Sequence, residues 1–337
     1  MTTPLAPPRL SGTLHIPEPV CHTRARINSA YPTIYEDHAA WVRRFLPFPD
    51  SAAMSRFFEH RYASFDALIY PNGMPERVLH SACLNSLMFE VDDMALLRDA
   101  TFDEIAVDWT ADHPYAPAFS DIWKTMRDNM SERIFQRYQQ GWRDCLRGIA
   151  LERDYIDRAV LPDFDAYLDI RQLSFGPQPL LIGGEYVHGI DLSALVDADP
   201  DLRRAQRATT MHTLLVNDLL SFRKEYTRGD LFNVVAVLIH NHRQQPQQAL
   251  DLTGELIRIA DAELADACAV LRHRYLMRPE VAIYLNTLNS LCAGNLRWSL
   301  ETTRYHGSAY GWNGRRDGIV TLDPGRDTSA FETMRAS

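Results

Sequence analysis

The stretch NDLLSFRKE, residues 217–225, places Asn217, Ser221 and Glu225 four residues apart in a segment with helical patterning. Four residues are just over one helical turn, so the three side chains share a face and climb it in steps of ~6 Å. Helical side chains lean toward the N-terminus. The long Glu225 therefore reaches back while Asn217 and Ser221 stay near the backbone. All three end in hard oxygen atoms, the donor type that hard divalent cations take. Such a ladder asks for a second contributor elsewhere in the chain.

The chain around it has 337 residues, 46% of them hydrophobic, with a formal net charge of −9. That length fits two domains or one large helical domain. No apolar run reaches the roughly 20 residues of a membrane helix, so no membrane span is expected. The opening residues MTTPLAPPRLSGTLHIPEP are proline-rich and lack an apolar secretory core. Cys21, Cys83, Cys145, Cys268 and Cys292 are scattered and never spaced as CxxC, which reads as reduced thiols in a cytoplasmic protein. The acidic balance argues against a nucleic-acid partner, because phosphate backbones demand a basic face. A small anionic substrate needs only a few well-placed cations.

From Tyr31 to Tyr305 apolar residues recur at helical spacing. Helices are expected over 36–46, 75–98, 118–149, 199–226, 229–242, 246–275 and 279–305. Prolines and glycines break them at Pro47 and Pro49, Pro71-Asn72-Gly73, Pro114, Pro117, Pro162, the SFGPQP stretch at 174–179, and Pro246. No alternating strand pattern stands out. Residues 1–30 read as a flexible leader and 306–337 as a loop or mobile tail, a lid over the site in one reading. The fold class is all-α, with one helical domain over 31–305.

Segment 84–97, LNSLMFEVDDMALL, is apolar on nearly every face yet holds Glu90, Asp92 and Asp93. Burying carboxylates is costly unless something positive compensates. Either this is a helix end where acids meet water, or Asp92 and Asp93 line a cavity and bind metal.

Taken together, the two acidic segments resemble those of the class I terpene synthases, microbial type. That family holds three magnesium ions between an aspartate-rich helix end and an NDxxSxxKE helix. Here the second motif is complete in Asn217, Asp218, Ser221, Lys224 and Glu225. Arg304 and Tyr305 in WSLETTRY match the family's C-terminal Arg-Tyr pair, and Arg171, in YLDIRQLSFG, matches its diphosphate-sensing arginine before a helix break. The resemblance spans roughly residues 31–305. The first motif departs from the pattern: Leu96 stands where a third carboxylate is usual, and Asp99 lies on nearly the same face as Asp92 but about 10 Å along the axis.

The resemblance implies a single helical bundle around a central cavity, which ionises an isoprenyl diphosphate and steers the carbocation into rings. It assigns metal binding to Asp92, Asp93, Asn217, Ser221 and Glu225, with Mg2+ as the ion. It gives Arg171, Lys224, Arg304 and Tyr305 to the leaving diphosphate. Phe89, Phe175 and Trp298 are expected in the pocket wall, where aromatic faces stabilise positive charge. A homodimer is compatible with it. Small residues (Ala82, Cys83, Ser86, Ser290, Cys292, Ala293 and Gly294) favour a C20 geranylgeranyl chain over C15 farnesyl. Two rivals stay open: a chain-elongating prenyltransferase, which would need a second aspartate-rich helix, and a helical protein that binds prenyl diphosphate without turnover. Three further motifs are read as structural. His240 and His242 fall on different helix faces, Arg228-Gly229-Asp230 is a helix junction, and Gly183-Gly184 is a turn with no strand before it.

Overall fold

The computed structural model describes residues 10–93, 113–308 and 310–322, with the side chains of 91–93 outside that description. A short strand β1 (Gly12–Ile16) precedes α1 (Tyr31–Phe45), α2 (Ser51–Glu59), α3 (Tyr62–Ile69) and α4 (Pro75–Asp93). After the gap follow α5 (Ala116–Asp128), α6 (Glu132–Asp157), α7 (Phe164–Ser174), α8 (Pro177–His188) and α9 (Ser193–Ala198). The last part holds α10 (Pro200–Arg228), α11 (Val234–Asn241), α12 (Pro246–Arg274), α13 (Pro279–Glu301), α14 (Thr303–His306) and β2 (Gly318–Leu322).

The centre of the bundle is α10, which packs against α7, α11, α12 and α13. Its start is fixed by Asp199, whose carboxylate accepts the Asp201 amide at 2.8 Å, with Pro200 in the first turn. Gly229 ends it at φ 78°, a left-handed conformation that glycine adopts without a Cβ clash. Between those caps most side chains from Leu202 to Tyr226 are buried, including the polar Thr209, His212, Asp218 and Ser221. A helix with polar groups inside the core is one built around a function or a network, since each such group needs a partner.

Several expectations change on contact with the structure. The helix expected over 118–149 is two helices, because Ser131 starts a new one by accepting the Ile134 amide at 3.3 Å. Helices α2, α3, α7, α8 and α9 were not among the expected segments. Gly183-Gly184 is no turn: both lie inside α8. A Cβ on Gly183 would sit 2.6 Å from Tyr70 Oη, and one on Gly184 would sit 2.7 Å from Thr287 Cγ2. The pair lets neighbouring helices approach closely.

Both ends also read differently. β1 and β2 pair antiparallel from Gly12 opposite Leu322 to Ile16 opposite Gly318. Strands of five residues are too short to declare an alternating pattern. Residues 10–30, part of the segment read as a flexible leader, are laid across the bundle: the Asn28 amide donates to Ala67 O at 2.9 Å, and its side chain donates to Tyr70 O and Gly73 O. In the tail, His306 is buried with its Nε2 2.8 Å from Ser299 O. Of the 306–337 segment expected as a tail or lid, 318–322 form β2 against β1, while 309 and 323–337 lie outside the described residues. No helix of the described residues is long and apolar enough to cross a membrane.

Gly294 tests the packing of α13 on α3. A Cβ there would lie 2.5 Å from the Leu68 carbonyl carbon and oxygen, backbone atoms that have no rotamer to yield. Gly294→Ala is expected to cost about 1–3 kcal/mol. In urea this lowers the midpoint at constant m; an unchanged midpoint contradicts the contact.

Candidate functional site

Helix α7 is capped by Asp163, which accepts the Ala166 amide at 2.9 Å, and it ends at Ser174 before Phe175 and Gly176. Gly176 has φ 72° and redirects the chain into α8. This break leaves Arg171 in the last turn of α7, facing α10. Its Nη2 donates to Asn217 Oδ1 at 2.9 Å, and its Nε and Nη2 donate to Asp218 Oδ1 at 3.0 and 2.9 Å. Glu152 stands 3.7 Å from Nη1.

Asp218 is wholly buried and is the hub of this region. Besides Arg171 its carboxylate accepts from Tyr167 Oη and, at 3.1 Å, from the Val234 amide at the start of α11. Burial alone would lower the Arg171 pKa; Asp218 first, then Glu152, overcome it and hold the guanidinium firmly charged. Asn233 closes the network from the other side. Its Nδ2 donates to Asp218 O and to Glu225 Oε2, each at 2.8 Å, while its Oδ1 caps α11 by accepting the Val235 amide.

The oxygen ladder of α10 is therefore present. Asn217 Nδ2 donates to Tyr305 Oη at 2.5 Å, tying the ladder to α14. Ser221 Oγ is buried with no hydrogen-bond partner among the described residues. Glu225 is pushed up to about 7, first by burial, then by the neighbouring Asp230 and Asp218. A buried hydroxyl without a partner and a carboxylate short of positive charge both call for a cation. The donors Asn217 Oδ1, Ser221 Oγ and Glu225 are all oxygen, so the set fits a hard divalent ion.

Beside this polar wall lies a cavity of about 310 Å3. Arg171, Asn217, Lys224, Glu225, Arg304 and Tyr305 line it, together with Phe89, Phe175 and Trp298. Every expected residue whose side chain is described thus reaches the cavity except Ser221, which sits beneath its surface. The aromatics form a stacked wall: Phe89 lies parallel to Tyr62 at 4.8 Å and stacks on Trp298 at 5.4 Å, and Trp298 meets Tyr305 edge-on at 5.6 Å. The Arg304 guanidinium sits 5.4 Å from the Phe89 ring centre, and Lys224 Nζ is 5.9 Å from that of Tyr305. Asp92 and Asp93 close the described part of α4; their side chains, Leu96 and Asp99 lie outside the described residues.

One reading is revised. None of the small residues that favoured a C20 chain lines this cavity. Gly294 serves the contact with α3, and Ser86 bonds Ala82 O and His38. Sequence reasoning also missed Tyr167, Asn233 and the role of Asp218. Tyr167 precedes Arg171 by one turn, and Asn233 stands just before the apolar run VVAVLI. Those positions were the available signals.

The chain belongs to the terpene synthase family, and with it to the lyases that act on isoprenyl diphosphates: the family model for terpene synthase family 2, C-terminal metal binding, matches residues 85–260. It is similar to the (E)-2-epi-beta-caryophyllene synthase of Selaginella moellendorffii, 26% identical over 298 residues, covering 81% of this chain and 80% of that one. It is likewise similar to the pristinol synthase of Streptomyces pristinaespiralis, 25% identical, covering 95% and 93% respectively. In fold it matches the linalool/nerolidol synthase of Streptomyces clavuligerus, with TM-score 0.71 and 22% identity over 81% of this chain and all 100% of that one. The fold is that of the class I helical enzymes.

Glu225 gives the site a pH signature. In the metal-free fold it keeps its proton up to about 7, whereas its unperturbed value is 4.5. Between those values the unfolded state sheds the proton first, so this group's contribution to stability falls as pH rises through that window. Glu225→Gln is expected to flatten that limb of the melting-temperature profile. It should also cut turnover by more than about a hundred-fold, beyond what losing an outer-shell partner costs a metal site. A mutant with full turnover and an unchanged profile contradicts the assignment.

Proposed function

We propose that this protein is a magnesium-dependent terpene cyclase that ionises a linear isoprenyl diphosphate and closes the resulting carbocation into a cyclic terpene. The observation that carries this reading is the joining of two unlike surfaces in one cavity. One wall offers Asn217, Glu225, Arg171, Lys224, Arg304 and Tyr305; the other is built from Phe65, Phe89 and Trp298. A diphosphate ester of a hydrocarbon has the same two halves.

In this reading Asn217, Ser221 and Glu225 would hold magnesium from α10, with Asp92 and Asp93 as the ligands expected from α4. Bound magnesium neutralises charge as it develops on the departing diphosphate. Arg171, Lys224 and Arg304 would present N–H donors to the same oxygens, Arg171 being held in place by Asp218. Tyr305 accepts from Asn217, which leaves its own O–H to donate to the diphosphate. Heterolysis of the carbon–oxygen bond leaves an allylic cation against the faces of Phe89 and Trp298, where cation–π attraction favours positive charge. The aromatic packing also keeps water from quenching it.

With none of those small residues in the cavity wall, the shorter C15 chain is the better fit, and farnesyl diphosphate is the substrate we propose. Chain elongation would call for a second aspartate-rich helix where NDLLSFRKE stands.

The test is direct. Purified protein with Mg2+ is incubated in parallel with geranyl, farnesyl, geranylgeranyl and geranylfarnesyl diphosphates, and hydrocarbon extracts are analysed by gas chromatography–mass spectrometry. A cyclic C15 product is expected from farnesyl diphosphate. A cyclic C20 product alone would move the chain-length assignment, a longer diphosphate would indicate elongation, and no product from any substrate would overturn the catalytic reading.

A further inference from the structure

We propose a second metal site, separate from the cavity, in which Cys21, His212 and Asp261 bind one zinc-type cation and fasten the N-terminal segment to α10 and α12. A thiol sulfur, a ring nitrogen and a carboxylate oxygen from these residues lie within 4.8 Å of one another. They come from three distant parts of the chain. His212 and Asp261 are buried at 0% and 5% exposure, while Cys21 is half-buried.

His212 supplies the decisive observation. Its Nε2 lies 2.8 Å from the Val20 carbonyl, an acceptor, so Nε2 carries the ring proton. Nδ1 then holds a lone pair, and it is buried with no hydrogen-bond partner among the described residues. A buried acceptor left unmade costs about 1–3 kcal/mol. Metal-binding histidines show the same arrangement, one nitrogen donating to a backbone carbonyl and the other free to coordinate.

Asp261 is held from behind. The His22 amide lies 3.1 Å from each of its oxygens, and His22 Nδ1 is 2.8 Å from Oδ1. A carboxylate has about four acceptor positions, so one remains for a metal. Cys21 Sγ makes only a long contact, donating to Thr23 O at 3.4 Å. On binding, the Cys21 S–H bond gives its proton to solvent and a sulfur–metal bond takes its place.

Mixed sulfur, nitrogen and oxygen donors suit zinc and not magnesium, which keeps to oxygen. Zinc bonds of about 2.0–2.3 Å place tetrahedral donors roughly 3.5 Å apart, so the site closes by about an ångström on loading. The half-buried side at Cys21 leaves the fourth position to water. A nucleophilic Cys–His–Asp triad fits less well, because Asp261 is engaged by His22 and the Val20 carbonyl occupies the nitrogen that an orienting carboxylate would take. His212 precedes Asn217 by five residues, about 140° around α10, so the two sites face different ways.

The experiment uses the full, untagged chain, stripped with EDTA, reloaded with zinc in excess Mg2+, desalted, and analysed for metal by plasma mass spectrometry. One zinc per chain is expected in the wild type and equally in Glu225→Gln. Cys21→Ser and His212→Gln should weaken zinc retention at least ten-fold, the minimum that losing even an outer-shell partner costs a metal site. Cobalt substitution of the unmutated chain should give a sulfur-to-cobalt charge-transfer band, a readout that needs no variant to fold. Absence of retained zinc, equal retention in Cys21→Ser, loss of zinc in Glu225→Gln, or a cobalt spectrum without that band would each overturn the proposal.

Discussion

Asp218 sits at zero exposure between three helices, and its carboxylate is met by the Arg171 guanidinium, the Tyr167 hydroxyl and the Val234 amide. A buried charge of this kind is tolerated only when every lone pair is occupied and an opposite charge is in contact. Removing one partner from such a pair costs about 3–5 kcal/mol, because the other is left buried and uncompensated. The constraint works in both directions. It anchors α7 and the start of α11 onto α10, and it fixes the direction in which Arg171 points.

That direction is what makes the cavity chemically useful. The guanidinium is shared between Asp218, which holds it, and Asn217, whose amide oxygen also belongs to the ladder. Asn217 in turn reaches Tyr305, and Asn233 reaches Glu225. Arg171 and Glu225 are thus braced from behind by Asp218 and Asn233, while Asn217 and Tyr305 brace each other within the cavity wall. Such bracing costs little reorganisation when charge develops, which is the condition for electrostatic catalysis. The opposite wall needs no such network. The rings of Phe89 and Trp298, with Tyr62 packed behind them, hold their shape by packing, and the Trp298 N–H is satisfied by Arg61 O at 3.3 Å.

Much of this was legible in the sequence, for reasons that can be named. The ladder Asn217, Ser221, Glu225 follows from helical periodicity alone, and Arg171, Arg304 and Tyr305 were placed by motif order. The break after Ser174 was announced by Gly176 and Pro177. What periodicity could not supply was depth. Asp218 looks like a surface residue of an amphipathic helix, and only tertiary packing shows that α10 is buried on nearly all sides. Gly294 was read as cavity space and Gly183-Gly184 as a turn, yet all three mark close helix approaches, because a missing side chain is equally useful for each purpose. The strands at the two ends were invisible for another reason: β1 is stabilised by β2, more than three hundred positions later in the 337-residue chain, and no local signal encodes that pairing.

The account rests on the oxygen ladder of α10 being a cation site rather than a buried polar seam. Crystals grown with Mn2+ and inorganic diphosphate would decide this by anomalous diffraction. The prediction is an anomalous peak within bonding distance of Asn217 Oδ1, Ser221 Oγ and a Glu225 carboxylate oxygen, with Arg171 still held by Asp218. A diphosphate bound in the cavity with no anomalous peak at those three atoms would contradict it.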